Sequence, residues 1–453
     1  MAQADDTNST AQVGHAQVGH AQVWRLAGPI MISNLTVPLL GAVDTAVVGH
    51  LPQAHYLGAV AVGAMIFNFI YWVFVFLRKS TTGLTAQAYG TDQPGEVQAH
   101  LARAVLLAGT IGLALLVLQW PISAAAFYFV EGSAEVEQFA QHYFTIRIWG
   151  APAAMANFAL LGWFVGIRRT RYVLTLQLLL NGINIVLDLV FVVGLGWGVE
   201  GVAVATLIAE YSAVGVGLWL ARTHLTHLRR QKSGLVWPQI FAGRQLRRLL
   251  SLNRDIFLRT LCLVLAFAFF TAQGARQGDV ALAANAVLMN FTLFMAFGLD
   301  GFANAAEALI GGAVGSRDVR TLRHVVKLTA FWGGLFAVAY MTVYFLFGSY
   351  IILALTSVDA VVQAANHYKG WAVILPVIAV WSFLLDGIFV GATRARDMRN
   401  AMATSLAIYL ACYYLAEPLW GNNGLWLALT VLFAARGVTL ALRYPALERS
   451  VGR

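Results

Sequence analysis

Charge is scarce along this chain, and its scarcity decides the broad class. Asp, Glu, Lys and Arg supply only 11% of 453 residues, too few to cover the surface of a soluble protein of that length. Cysteine is nearly absent. Cys262 and Cys412 each lie in an apolar run with no second Cys or His at ligand spacing, so neither a disulfide framework nor a zinc site is expected. The N-terminal stretch lacks the basic and apolar regions of a signal peptide. It is polar and then repeats Ala-Gln-Val-Gly-His, so residues 1–22 read as a disordered tail; His15 and His20 belong to it rather than to a metal site.

What is abundant is apolar sequence: hydrophobic residues make up 59% of the chain. Runs of about 20 such residues, the length that crosses the hydrocarbon layer, recur throughout. About six fall in each half, which gives an all-α integral membrane protein of about twelve transmembrane helices.

The halves repeat each other at an offset of 225 residues. Gly162-Trp163-Phe164-Val165-Gly166 aligns with Gly387-Ile388-Phe389-Val390-Gly391, His142-Tyr143 with His367-Tyr368, and Leu57 through Gly90 with Leu282 through Gly315. Two pseudo-symmetric six-helix lobes follow, and in membrane proteins such lobes move against each other around a site at their interface. The N-lobe is assigned to 23–222, a basic linker to 223–254, the C-lobe to 255–445 and a C-terminal tail to 446–453.

Basic residues gather in alternate connections. One set carries Arg168, Arg169 and Arg171, then Arg222 through Arg248, then Arg317, Arg320 and Arg323, then Arg394, Arg396 and Arg399; the other set is poor in Lys and Arg. The positive-inside rule places the basic loops and both termini in the cytoplasm. The net charge of +9 has the same origin, so anionic lipid is a sufficient partner and nucleic acid is not called for.

The chemistry lies in ionisable groups inside apolar spans, where a carboxylate costs about 2.5–3.5 kcal/mol and normally faces a bundle interior or a wet cavity. Asp44 lies in the first span. Asn181, Asn184 and Asp188 form one stripe on the fifth, and Thr206 with Glu210 marks a face of the sixth. In the second half Asp300, Asn304 and Glu307 form a stripe on the eighth span, and Asp386 lies in the tenth. Asp44 with the Asn184/Asp188 face would share a low-dielectric pocket in which a carboxyl pKa rises toward physiological pH. Such a group loads and releases a proton; the same oxygens could also cage sodium.

The stretches Gly28-Pro29-Ile30-Met31-Ile32-Ser33-Asn34, Gly41-Ala42-Val43-Asp44-Thr45-Ala46-Val47-Val48-Gly49-His50-Leu51 and Arg78-Lys79-Ser80-Thr81-Thr82-Gly83-Leu84-Thr85-Ala86-Gln87-Ala88-Tyr89-Gly90 resemble the multidrug and toxic compound extrusion (MATE) family, in its DinF branch. The segments Leu385 through Arg394 and Gly424 through Thr430 fit the same branch, and the resemblance runs from about Trp24 to the C-terminus. It implies a bacterial inner-membrane exporter; a monomer without cofactors is the expectation. Such a protein couples outward movement of organic, often cationic or amphiphilic, compounds to inward H⁺ or Na⁺. It further implies that Asp44, Asn184, Asp188 and Thr206 form the first-lobe ion site and that Pro29 is a hinge in the first helix. Relatives with a second-lobe sodium site use acids in the seventh and tenth helices. Here the seventh span carries Arg259 and no acid, so only Asp386 remains and protons are favoured.

Symmetry adds one expectation. Lys79 is the mate of Asn304 and Arg78 of Ala303, so this cationic pair and the Asp300/Glu307 stripe take equivalent places on opposite halves. Either they latch the cytoplasmic side across the cleft, or Arg78 and Lys79 snorkel to headgroups. Phe67, Met289, Phe294 and Met295 are candidates for an adaptable substrate wall. Two competing functions stay open. A lipid-linked precursor flippase would need a strongly cationic cavity, whereas the buried charges read as mainly acidic. A membrane-embedded enzyme would need a catalytic constellation that His142 and His367 do not supply.

Overall fold

The computed structural model describes residues 18–49, 54–129, 133–231 and 240–452; the Asp44 side chain lies outside the described set. The first half comprises α1 (His20–Gly49), α2 (Ala54–Val73), α3 (Phe76–Gly90), α4 (Pro94–Val117), α5 (Gln119–Phe129), α6 (Ala134–Arg147), α7 (Ala151–Gly166), α8 (Thr170–Asp188) and α9 (Gly198–Gln231). The second comprises α10 (Gly243–Arg276), α11 (Asp279–Gly315), α12 (Val319–Leu355), α13 (Asp359–Gly391), α14 (Ala395–Trp420) and α15 (Asn422–Val451). Among the described residues ten segments have the length and composition of a membrane crossing, with α2–α3, α6–α7 and α8 with its following turn each forming one. Helices α1, with 30 residues, and α14, with 26, are also long enough to cross.

The 225-residue offset holds in three dimensions. The α2–α3 crossing begins and ends at the mates of the ends of α11, and α6–α7 at the mates of the ends of α13. Even strained backbone repeats. The left-handed residues Asp92 and Arg168 have Arg317 and Thr393 as mates, and both pairs sit in the short turns of the basic face. Close helix crossings repeat as well. A Cβ on Gly162 would stand 2.3 Å from Arg78 O, and one on Gly387 would stand 2.3 Å from Ala303 O. Only glycine lets the helices approach so far.

The lobes meet on the basic face and part on the other. A Cβ on Gly311 would meet Ala86 Cβ, its own mate, at 2.4 Å, and one on Gly315 would meet Gln87 O at 2.2 Å. The innermost bond across the lobes runs from Asn34 Nδ2 to Phe297 O, 3.1 Å, near the middle of α1 and α11. Among the described residues no hydrogen bond or ion pair joins the lobes beyond that level. The polar ties between the lobes thus gather from the basic face up to the middle of α1 and α11.

Three boundaries differ from the sequence reading. Helix α1 starts at His20, inside the segment read as tail. Val18 is buried, its carbonyl is bonded to His324 Nε2 at 2.8 Å, and His20 Nδ1 accepts from Trp332 Nε1 at 3.0 Å. Helix α15 runs to Val451 because Leu447 and Val451 are buried, so the C-terminal tail is largely helix. Helices α9 and α10 extend into the segment read as linker, of which residues 232–239 lie outside the described set.

Candidate functional site

In the first lobe α8 and α9 bring Asn184, Asp188 and Thr206 together. Asn184 and Asp188 are 0% exposed, and α8 widens into a π-helical turn, Leu189–Gly194, directly after Asp188. One terminal atom of the Asn184 amide lies 3.1 Å from Thr206 Oγ1 and the other 3.2 Å from Asp188 Oδ2. Thr206 Oγ1 in turn donates to Val202 O at 2.9 Å. An amide has a donor end and an acceptor end. With Nδ2 toward Asp188 it serves a carboxylate. Turned over, its oxygen accepts from a protonated Asp188 while Nδ2 donates to Thr206. The amide can therefore partner Asp188 Oδ2 in either protonation state. Asn181 ties α8 to α1, donating from Nδ2 to Thr36 O at 3.2 Å and accepting from Gln177 at 3.1 Å, so it serves as a tether rather than an open ligand. Pro29 sits within α1, which continues through it.

At the mates of Asn184, Asp188 and Thr206 the second lobe carries Tyr409, Tyr413 and Val431, and at the mate of Asp44 it carries Phe269. Their rings pack edge to face, Phe269 at 5.7 Å from Tyr409 and 4.9 Å from Tyr413. The phenol hydroxyls donate to Ala266 O and Gln273 Oε1. The same helix positions hold a polar pocket in one lobe and an aromatic plug in the other.

Two sequence candidates are already paired. Glu210 is not solvated at a helix end. Arg147 grips it through two bonds, 2.6 and 3.0 Å, while Asn157 donates to its carbonyl and Tyr71 OH accepts a further guanidinium bond. Asp386 does not stand free for an ion, because one of its oxygens, Oδ2, accepts from both Arg259 and Arg436. The reading of the buried charges as mainly acidic is corrected accordingly: Arg147, Arg259 and Arg436 are all buried. Asp300 is half-buried and its charge acts on both Arg259 and Arg436.

The basic-face closure carries the cationic pair. Arg78 donates to Asn304 Oδ1 and Lys79 to Glu307 Oε1, each at 3.2 Å, and both bonds cross the lobes rather than reaching for headgroups. Further out Gln87 donates to Gly391 O and Thr393 Oγ1, and Arg248 bridges Gln87 and Thr393. Arg168 lies over Gly312, where a Cβ would stand 2.1 Å from its guanidinium, and over the Tyr89 ring. Burial pulls its pKa down from the ordinary guanidinium value, with Tyr89 acting against that.

The proposed substrate wall is half overturned. Phe67 (3% exposed) stacks on Phe144 and supports Arg147 inside the first lobe, and Met295 (0%) packs in the main core. A helix that is apolar all round does not show from sequence which face is buried. Met289 is half-buried, and Phe294 is 41% exposed.

Comparison with known proteins agrees with this geometry. The MatE family model matches twice, over residues 29–190 and 256–415, once in each lobe. The chain is 47% identical to DNA damage-inducible protein F of Escherichia coli over 92% of this chain and 90% of that one. It is 24% identical to a probable multidrug resistance protein NorM of Acinetobacter baylyi over 93% and 94%. Among solved structures it superposes with a TM-score of 0.83 on an outward-facing multidrug resistance MATE family transporter, at 19% identity over 95% of this chain and 97% of that one. With the Vibrio cholerae MATE transporter VcmN in its bent form the TM-score is 0.83 at 22% identity, over 95% and 97%. The chain belongs to the MatE family, the multidrug and toxic compound extrusion family, whose members are membrane transporters and not enzymes.

Proposed function

We propose that this chain is a secondary antiporter of a bacterial inner membrane, with its basic loops and both termini in the cytoplasm. It expels organic compounds of cationic or amphiphilic character, in line with the multidrug resistance naming of its relatives, in exchange for inward H⁺. With the basic face cytoplasmic, the inter-lobe ties on that face close the cytoplasmic side, which suits an outward-facing arrangement. The observation that carries proton coupling is the Asn184 amide between Asp188 Oδ2 and Thr206, which can partner that oxygen whether the acid is protonated or ionised. Sodium is the weaker reading: the second-lobe acid, Asp386, is occupied by two guanidinium groups. Asp44 completes the first-lobe site in this reading.

Protonation of Asp188 turns the amide and alters the tie between α8 and α9; the two lobe arrangements differ in affinity for the proton, and that difference drives the exchange. Arg78–Asn304 and Lys79–Glu307 latch the cytoplasmic side while the outer side is open. The Arg-rich loops hold anionic headgroups, and the chain acts as a monomer. Efflux of a fluorescent organic cation from sealed vesicles, driven by an imposed pH gradient without sodium, tests the function. Gradient-driven efflux by the wild type is expected; efflux that needs sodium and ignores the pH gradient overturns proton coupling. For the latch, Lys79→Glu with Glu307→Lys should recover transport lost in each single variant, and failure to recover counts against it.

A further inference from the structure

An apolar groove of about 310 Å³ opens on the flank where α2, α3, α4 and α10 meet. It is lined by Phe74 and Phe76, by Leu107 and Ile111 of α4, and by Leu250 and Phe257 of α10. Its polar end is Asn253 and Arg254. Asn253 is 5% exposed, and neither its amide nitrogen nor its amide oxygen has a hydrogen-bond partner. A buried amide left so is destabilising unless a ligand or water satisfies it. Beside it the Arg254 side chain is 64% exposed. Arg254 and Arg399 share the single carboxylate of Asp255, which leaves one positive charge in surplus, and Arg247 follows two turns earlier on the same helix.

The repeat shows that one side of this groove is open where the other flank is filled. The mates of the lining residues Leu107 and Ile111 are Trp332 and Phe336, whose rings stand beside those of Trp24 and Phe302. There the rings fill the space themselves, with Trp24 at 5.2 Å from Trp332 and 5.3 Å from Phe302, and Phe302 at 5.4 Å from Phe336. Leu107 and Ile111 at the positions of Trp332 and Phe336 leave room for an apolar occupant on this side. The polar end lies just before the apolar run Ile256 to Gln273, at the level of the headgroups, and the apolar end points into the bilayer.

We propose that this groove binds one anionic phospholipid of the cytoplasmic leaflet. Its acyl chain lies along Phe74, Ile111 and Phe257, and its phosphate rests on Arg254 and the Asn253 amide. Helices α2 to α4 belong to the first lobe and α10 to the second, so the lipid spans the lobe boundary and favours the arrangement closed to the cytoplasm. This state preference rests on the alternating-access reading; the binding itself does not.

The test uses full-length protein carrying Cys262→Ser and Cys412→Ser, with spin labels at Thr91 and Ser316, mates on the two cytoplasmic turns. It is placed in nanodiscs of phosphatidylcholine with or without phosphatidylglycerol, and retained lipid is counted by native mass spectrometry. Wild type should keep phosphatidylglycerol in preference to phosphatidylcholine, and phosphatidylglycerol should raise the short-distance population. Arg254→Gln should weaken that retention about fivefold, as loss of one cation at an anionic surface does. Leu107→Trp, copying the filled flank, should lose the retained lipid and hold the short distance without it. Equal retention of both lipids, unchanged retention in either variant, or displacement of the lipid by an organic cation overturns the proposal. A single Thr91–Ser316 distance under every condition overturns alternating access and the state preference, while the lipid counts still decide the site.

Discussion

The two lobes share helix positions, turn geometry and glycine crossings, yet their interiors are wired differently. The first lobe places an acid, an amide and a hydroxyl where the second places two tyrosines and a valine. The second lobe concentrates charge elsewhere, around Asp386, where the first has Leu161 at the mate and Asn34 and Tyr211 at the mates of the two arginines. A fold repeated in backbone therefore does not repeat its chemistry. In this account the first lobe carries the exchangeable proton and the second acts as a rigid counterpart whose buried charges are already neutralised.

The sharpest way to break this contrast is to remove the acid from one lobe and then from the other. Asp188→Asn should reduce pH-gradient-driven efflux to background at equal expression, because asparagine cannot cycle a proton. Asp386→Asn should leave the coupling intact and cost stability instead. It strands two buried guanidiniums, a loss of about 3–5 kcal/mol by the usual toll for breaking a buried pair, read as a lowered midpoint of thermal unfolding in detergent. In the first lobe Glu210→Gln should give a loss of the same order by stranding Arg147, while replacing both partners with apolar residues of similar volume should come close to wild type. Asn181→Ala removes one tether between α8 and α1 and should cost only about 1 kcal/mol.

Much of the architecture was legible. Apolar run length set the crossings, and the 225-residue offset set the lobes, since both depend on local sequence and on the thickness of the bilayer. Asn184 and Asp188 were legible because a stripe at helical spacing survives any error in helix ends; Thr206, on the next helix, was joined to them only through the family resemblance. The aromatic mate of this site was within reach of the same offset, by reading Tyr409, Tyr413 and Phe269 as the counterparts of Asn184, Asp188 and Asp44. Pairing was not legible. Nothing in the spacing of Arg147 or Arg436 marks a partner; only the tertiary fold brings them to Glu210 and Asp386. Phe67 and Met295 were misplaced for a related reason, since a uniformly apolar helix carries no mark of the face that meets its own lobe.

The measurement that tests the central claim most directly is proton release on substrate binding, in weakly buffered detergent solution, for wild type, Asp188→Asn and Asp386→Asn. The account predicts release by wild type and Asp386→Asn and none by Asp188→Asn. Release that persists in Asp188→Asn, or vanishes in Asp386→Asn, would contradict it.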